Sequence, residues 1–316
     1  MNDAETNPTP PETSDEILRC TVQGGAARVV AVTTTEVARE AIRRHEATGA
    51  AAVALARGVT AGLLLATLTK DDERVTLQLM GNGPLGGVTV DANAAGTVRA
   101  FVKEPLGAPL ARIDRPRLAP SLGATGVVSV IRDVGLRQSF QGQTNFVSGE
   151  IDEDVEQYLT ASEQIDSALR CETVLAEDGT LLFSAGILVQ ALPGGRGAPI
   201  VQASRERFAA GALRAAIAGN GDVLRDPGSL VENALGDQLG VWNALDERPV
   251  RFFCPCTRER AGASLAMLGK DELASMILEE GKAEVICNFC RARHDFTEAD
   301  LERIRRELLG SSGPPS

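Results

Sequence analysis

Hydrophobic and polar positions change period several times along the chain, and each change marks an element. Apolar and β-branched residues over Ile17 to Gln23 and Arg28 to Thr33 flank Gly24-Gly25 and predict a strand hairpin. Thr35 then precedes Glu36, Val37, Ala41 and Ile42, whose spacing of four predicts a helix start. The run ATGAAAVALARGVTAGLLLATLTK, from Ala47 to Lys70, continues this pattern as a buried helix. Period-two alternation over Arg74 to Met80, Gly87 to Ala92, Thr97 to Lys103 and Gly126 to Arg132 predicts four further strands. Several of their connections are too short for helical crossovers, so the pairing is expected to be antiparallel.

The segment Ile151 to Cys171 places Val155, Leu159 and Ile165 at helical spacing, with a break near Ser162. Its acidic start, Glu150 to Glu156, reads as a solvated helix face. Leu181 to Leu192 is a continuous apolar run ending in PGGRG, which suits a buried strand running into a loop. Between Val201 and Arg248 the character turns helical, with Ser204 as one cap and Ser229-Leu-Val-Glu232 as a capping box. Gly211 and Gly236 fall inside these patterns, each costing about 0.5 to 1 kcal/mol relative to Ala, and Gly219-Asn-Gly221 divides them. That region is either ordinary helical packing or a marginal element able to detach. Further on, Thr257 can cap a segment reaching Leu268, and Asp271 to Glu280 forms a short helix stopped by Gly281. A strand over Ala283 to Ile286 follows, then a capped amphipathic helix carrying Thr297, Asp300, Leu301, Ile304 and Leu308.

Composition narrows the function classes. A chain of 316 residues has room for two domains and a substantial core. Lys plus Arg is 32 against 43 Asp plus Glu, and the net charge of -11 has the wrong sign for gripping phosphate backbones. Aromatics are 3 %, which leaves little material for base stacking, so nucleic acid is not an expected partner. Residues 1–16 carry five acidic and no basic side chains and no apolar stretch, so they read as a disordered tail rather than a targeting peptide. Arg57 splits the most apolar run into stretches shorter than a bilayer span, so no membrane segment is expected. The cytoplasm is the expected compartment, where thiols stay reduced unless they bind metal or do redox work.

Of six cysteines, four form two close pairs: Cys254-Pro-Cys256 and Cys287-Asn-Phe-Cys290. Two pairs separated by a short folded stretch are what a tetrahedral four-thiolate zinc site requires, and one zinc ion is the expected cofactor. The chain thus reads as α+β, with an N-terminal mixed α/β domain of largely antiparallel sheet over 17–200. A helical linker region over 201–249 and a small C-terminal zinc-binding lobe over 250–310 follow, flanked by tails at 1–16 and 311–316. The zinc either holds that lobe together or also senses oxidants, since bound thiolates remain oxidisable and a metal-folded lobe unfolds without its ion. A thioredoxin-like reading of Cys287 and Cys290 fits poorly, because the motif follows a strand near the C-terminus and leaves a second cysteine pair to explain.

Other candidates are weaker. Gly81-Asn-Gly83-Pro-Leu-Gly86 satisfies GxGxxG, but Pro84 interrupts it and GVTVDA continues as a strand, so it reads as a hairpin loop and not a nucleotide site. No GxSxG elbow exists and only His45 and His294 are available, which disfavours a serine-hydrolase triad and leaves no catalytic residue to assign. His294 is read as peripheral to the zinc, Cys20 and Cys171 as buried packing residues, and Trp242 as core.

Three blocks carry a resemblance: GNGPLGGVTVDANAAGTVRAFV, RDVGLRQSFQGQTNFVSGEIDEDVEQYLTASEQ and CPCTRERAGASLAMLGKDELASMILEEGKAEVICNFC. Together they resemble the 33 kDa chaperonin family of redox-regulated heat-shock chaperones, over nearly everything from Ile17 to Leu309. Phe101 and Phe140, where the family often has Tyr, and Ala100, where it often has Gly, are departures that touch no functional residue. The resemblance implies an ATP-independent holdase that is not an enzyme and binds unfolding client proteins in the stress response. It further implies inactivity while zinc sits on Cys254, Cys256, Cys287 and Cys290, and activation when Cys254 pairs with Cys256 and Cys287 with Cys290. Zinc release, loosening of the linker and a homodimer on activation complete the implied picture. The alternatives that stay open are a constitutive zinc interaction module and a thiol-disulfide oxidoreductase.

Overall fold

A computed structural model of the chain describes residues 14–70, 73–108, 110, 115–133, 139–194, 196–218 and 226–310. The acidic stretch 1–13, the Gly219-Asn-Gly221 divider and the tail 311–316 lie outside them. The chain divides into two compact units, Met1–Phe253 and Cys254–Ser316.

In the first unit, β1 (Glu16–Val22) and β2 (Ala27–Thr33) form the expected hairpin, followed by α1 (Thr35–His45) and α2 (Gly49–Ala66). β3 (Arg74–Gly81), β4 (Val88–Asn93), β5 (Thr97–Val102), the short α3 (Ala119–Leu122), β6 (Gly126–Asp133) and β7 (Phe140–Asn145) come next. Then follow α4 (Ile151–Ala161), β8 (Ser167–Leu175), β9 (Leu181–Ala191), α5 (Ala198–Ala209), α6 (Ala212–Ala218), α7 (Pro227–Leu235), a 3-10 turn (Gly236–Leu239), β10 (Trp242–Pro249) and β11 (Arg251–Phe252). A five-stranded sheet runs β10-β1-β2-β9-β8, and a six-stranded sheet runs β11-β5-β4-β3-β6-β7. All pairings in both are antiparallel except β11 with β5. The loop Gly81–Gly86 joins β3 to β4 as a hairpin, in keeping with its sequence.

Helix α2 lies between the two sheets and packs on β2, β8 and β9 of one and on β3, β4 and β5 of the other. It continues through Arg57 as one helix, and although it is long and apolar enough to cross a membrane, 94 % of it is buried in the fold. Its glycines permit the close approach: a Cβ on Gly62 would sit 2.6 Å from the Val90 Cγ1. That separation is well inside van der Waals contact.

The structure departs from the sequence pattern in several places. Residues 14–16 are ordered, and Asp15 is buried, accepting the N–H groups of Glu36 (2.8 Å) and Val37 (2.9 Å) at the start of α1. The helix expected over Ile151 to Cys171 ends at Ala161, and Ser167 to Cys171 belong to β8. Ser204 lies within α5 with its hydroxyl on the Ile200 carbonyl, and α7 is capped by Asp226, whose carboxylate accepts from Gly228 and Ser229 N–H, not by Ser229. Residues 242–249 are a strand rather than helix. Gly211 (φ +81°) and Gly236 (φ +59°) end helices in a conformation that favours glycine, so they are terminators and not weak points inside helices.

In the second unit, α8 (Arg258–Ala266), α9 (Lys270–Glu279), a hairpin of β12 (Lys282–Ile286) and β13 (Arg293–Thr297), and α10 (Glu298–Gly310) surround a small core that includes Leu265, Leu273, Phe296 and Leu301. Thr257 caps α8 through its hydroxyl, and Thr297 with Asp300 caps α10 reciprocally.

Candidate metal centre

The four paired cysteines occupy the ends of secondary elements in the second unit. Cys254 and Cys256 lie on the turn that leads into α8, Cys287 closes β12, and Cys290 stands three residues before β13. Arg260 donates to the Pro255 carbonyl (3.0 Å) and steadies the first turn. In the second, Cys287 N–H donates to the Ala292 carbonyl and Arg291 N–H to the Cys287 carbonyl, each at 2.9 Å, with Arg291 at φ +60°. The two turns thus aim all four sulfurs inward.

The Sγ atoms all lie within 4.8 Å of one another, with Cys254 to Cys287 at 3.8 Å and Cys256 to Cys290 at 3.1 Å. A tetrahedral ion with metal–sulfur bonds of about 2.3 Å has sulfur–sulfur edges of about 3.8 Å, so the cluster has the dimensions and the donor set to hold a metal ion. Cys254 and Cys290 are buried, and Cys256 and Cys287 are half-buried. Burial pushes the Cys256 thiol up to about 11. Hydrogen bonds from Cys254 and Cys290, together with the N–H groups of Cys290 and Phe289, hold Cys287 well below the ordinary thiol range. Cys290, as a donor to its neighbours, is raised. A thiolate is the form of cysteine that binds a metal ion or reacts with an oxidant.

The other candidates separate from this site. Cys20 (β1) and Cys171 (β8) are fully buried in the first unit, and desolvation raises both thiols. His294 lies on β13 opposite Val285 and is not among the converging donors. Trp242 packs at the edge of the first unit's core and donates to Glu232 at 3.3 Å.

A second polar cluster escaped the sequence reading. Glu150, Asp152 and Asp154 are buried and not a solvated face. The fully buried Arg57 of α2 pairs with Glu150 at 3.1 Å, and Arg115 reaches Asp152 at 2.6 Å and Glu172 at 3.2 Å. Arg170 also pairs with Glu172 at 3.0 Å. Burial alone would raise the Asp152 carboxyl, but Arg115, Arg170 and Arg57 together hold it below its ordinary value. The available signal was Arg57 itself: a cation inside a buried apolar helix demands a carboxylate partner.

Fold and cluster together define a class: a two-unit α+β protein whose C-terminal unit gathers four cysteines able to bind a metal. The Hsp33 protein family model matches residues 15–297. The chain is 35 % identical over 298 residues to the 33 kDa chaperonin of Listeria welshimeri, covering 93 % of this chain and 99 % of that one. It is 34 % identical over 292 residues to the 33 kDa chaperonin of Bacillus subtilis, covering 92 % and 98 %. The crystal structure of the 33 kDa chaperonin (heat shock protein 33 homolog) from Thermotoga maritima is similar with a TM-score of 0.77 and 29 % identity, over 94 % of this chain and 100 % of that one. The chain belongs to the Hsp33 family, and a chaperone role follows from that membership.

Proposed function

We propose that the protein is a redox-regulated holdase: without ATP, it binds unfolding or oxidatively damaged client proteins and prevents their aggregation. One observation carries the redox part: four cysteine sulfurs converge within 4.8 Å in a unit whose apolar core is small. Cys254, Cys256, Cys287 and Cys290 would hold one zinc ion, which cross-links the two turns and stabilises the unit when bound. On oxidation Cys254 joins Cys256 and Cys287 joins Cys290. Forming each S–S bond from two zinc-bound thiolates gives two electrons to one hydrogen peroxide, which takes up two protons from solvent and becomes two waters. The disulfide sulfurs no longer serve as thiolate ligands, so zinc is released and the unit loses its constraint. Sulfurs also approach across the pairs, Cys254 to Cys287 at 3.8 Å and Cys256 to Cys290 at 3.1 Å, so peptide mapping of the oxidised protein decides the pairing.

The loosening then extends to the helices α5 to α7, whose departure exposes an apolar sheet face to clients. The cytoplasm is the compartment in which such a switch starts reduced, and the active form is a homodimer. The test is aggregation of an unfolding client protein in the presence of the reduced zinc form or the form treated with hypochlorous acid, or with peroxide at mild heat. Suppression by the oxidised form alone, with stoichiometric zinc release, is expected, and equal suppression by both forms would overturn the reading and favour a constitutive zinc module. Catalytic turnover of a disulfide substrate would favour an oxidoreductase.

A further inference from the structure

The helices α5 and α6 do more than cover apolar surface. They seat Ile200, Val201, Phe208 and Leu213 against a sheet face that includes Val29, Ile187 and Val189. They also insert two arginines into carboxylates at the β8 side of that face. Arg205 of α5 donates to Glu156 Oε1 (2.8 Å), Asp166 Oδ1 (3.1 Å) and the Ser167 carbonyl (2.8 Å). Arg214 of α6 donates to Glu172 Oε2 (3.3 Å) and the Thr173 carbonyl (3.5 Å). Glu156 is itself fixed in place, because its second oxygen accepts the Leu169 N–H at 2.8 Å. The docked segment is therefore an apolar stretch bearing arginines whose positions match acidic groups fixed on the rest of the unit.

We infer that the face freed by these helices selects client segments in which arginine or lysine is interspersed among apolar residues, with Glu156 and Asp166 as the specificity-determining carboxylates. The inference rests on the holdase reading above. Departure of Arg205 removes the arginine from Glu156 and Asp166 and leaves the Leu169 N–H still holding Glu156 in position. Glu172 differs, because Arg115 and Arg170 keep it paired. An incoming client replaces the helices best if it restores both terms, the apolar contact and the guanidinium or ammonium at the rim. An acidic client meets like charge at the same place. The side chains of Arg205, Glu156 and Asp166 are 37 %, 19 % and 46 % exposed, so the selection weakens as salt screens it.

The experiment measures fluorescence anisotropy of two labelled 16-residue peptides, equal in leucine and alanine but carrying either four arginines or four glutamates, with the oxidised full-length protein. The arginine peptide is expected to bind about tenfold more tightly at low salt. The preference should fall in the Glu156→Gln/Asp166→Asn variant and persist in a charge-matched Glu46→Gln/Glu104→Gln control. Equal binding of the two peptides by the unmodified protein would overturn the inference. So would equal loss of preference in both variants, which would assign it to bulk charge. Suppression of client aggregation is read in parallel: if it persists without any peptide preference, only this inference falls. If the oxidised protein neither suppresses aggregation nor binds either peptide, the holdase reading falls with it.

Discussion

The two faces of the five-stranded sheet are covered by helices of different kinds. On one face lies α2, eighteen residues in a single helix, buried from Ala50 to Ala66 and pressed between two sheets. On the other lie α5, α6 and α7, of twelve, seven and nine residues, each burying only a stripe. The first cover is tied by a fully buried ion pair, Arg57 with Glu150, and the second by partly exposed pairs such as Arg205 with Glu156. A buried pair is costly to break because the partner left behind is an unpaired charge, whereas an exposed pair is worth little and screens with salt. One sheet therefore carries a cover tied by a buried ion pair and a cover whose ion pairs are partly exposed, so what holds the second is chiefly the apolar contact of Val201, Leu213, Leu230 and Val231 with the sheet.

Three perturbations break or sharpen this contrast. Glu150→Gln strikes the α2 side: Arg57 loses its carboxylate and the Leu118 and Ala119 N–H groups lose a charged acceptor. A loss of about 3 to 5 kcal/mol is expected in urea unfolding of the first unit. Asp15, beside α1, tests the same side through pH. Burial outweighs its backbone hydrogen bonds and raises its carboxyl to about 6 from 3.8. A raised acid pKa means that the folded state holds the proton more tightly, so its contribution is fully present below about pH 4 and is lost as pH rises through about 6. The difference in unfolding free energy between the unmodified protein and the Asp15→Asn variant should change by about 2 to 3 kcal/mol across that window. A flat difference would contradict the burial argument. Asp226→Ala removes the cap of α7 on the α5–α7 side and should cost only about 1 kcal/mol. Its readout is faster proteolysis within α5 to α7 while the sheets stay protected.

Much of this architecture was legible because it is locally encoded. β1 to β6 and β9 announce themselves by alternation or a continuous apolar run, and the four converging cysteines by their spacing. The misses have a common cause. β10, with the sequence WNALDERP, is an edge strand exposed along most of its length, so it has no buried period to read. β7, FQGQTN, is the edge of the other sheet and equally exposed. The opening of β8 has a helical pattern because Ile165 continues the spacing of α4, and only pairing with β9 decides it. The buried acids of 150–154 look like surface in the sequence because their partners come from α2 and from Arg115, distant in sequence. Likewise the glycines ending α5 and α7 look like defects until their positive φ is known.

On the proposed function, the four-cysteine unit and the α5–α7 cover respond together to oxidation while the α2 side does not. Hydrogen exchange read by mass spectrometry, on the reduced zinc-loaded protein, the chelated protein and the oxidised protein, tests it directly. Oxidation should abolish protection across 254–310 and across 198–218 and 226–239, leaving α2, β2, β3, β4 and β9 slow to exchange; chelation alone should affect at least the first of these regions. Retained protection over α5 to α7 in a fully oxidised, zinc-free protein, or equal loss of protection in α2, would contradict it.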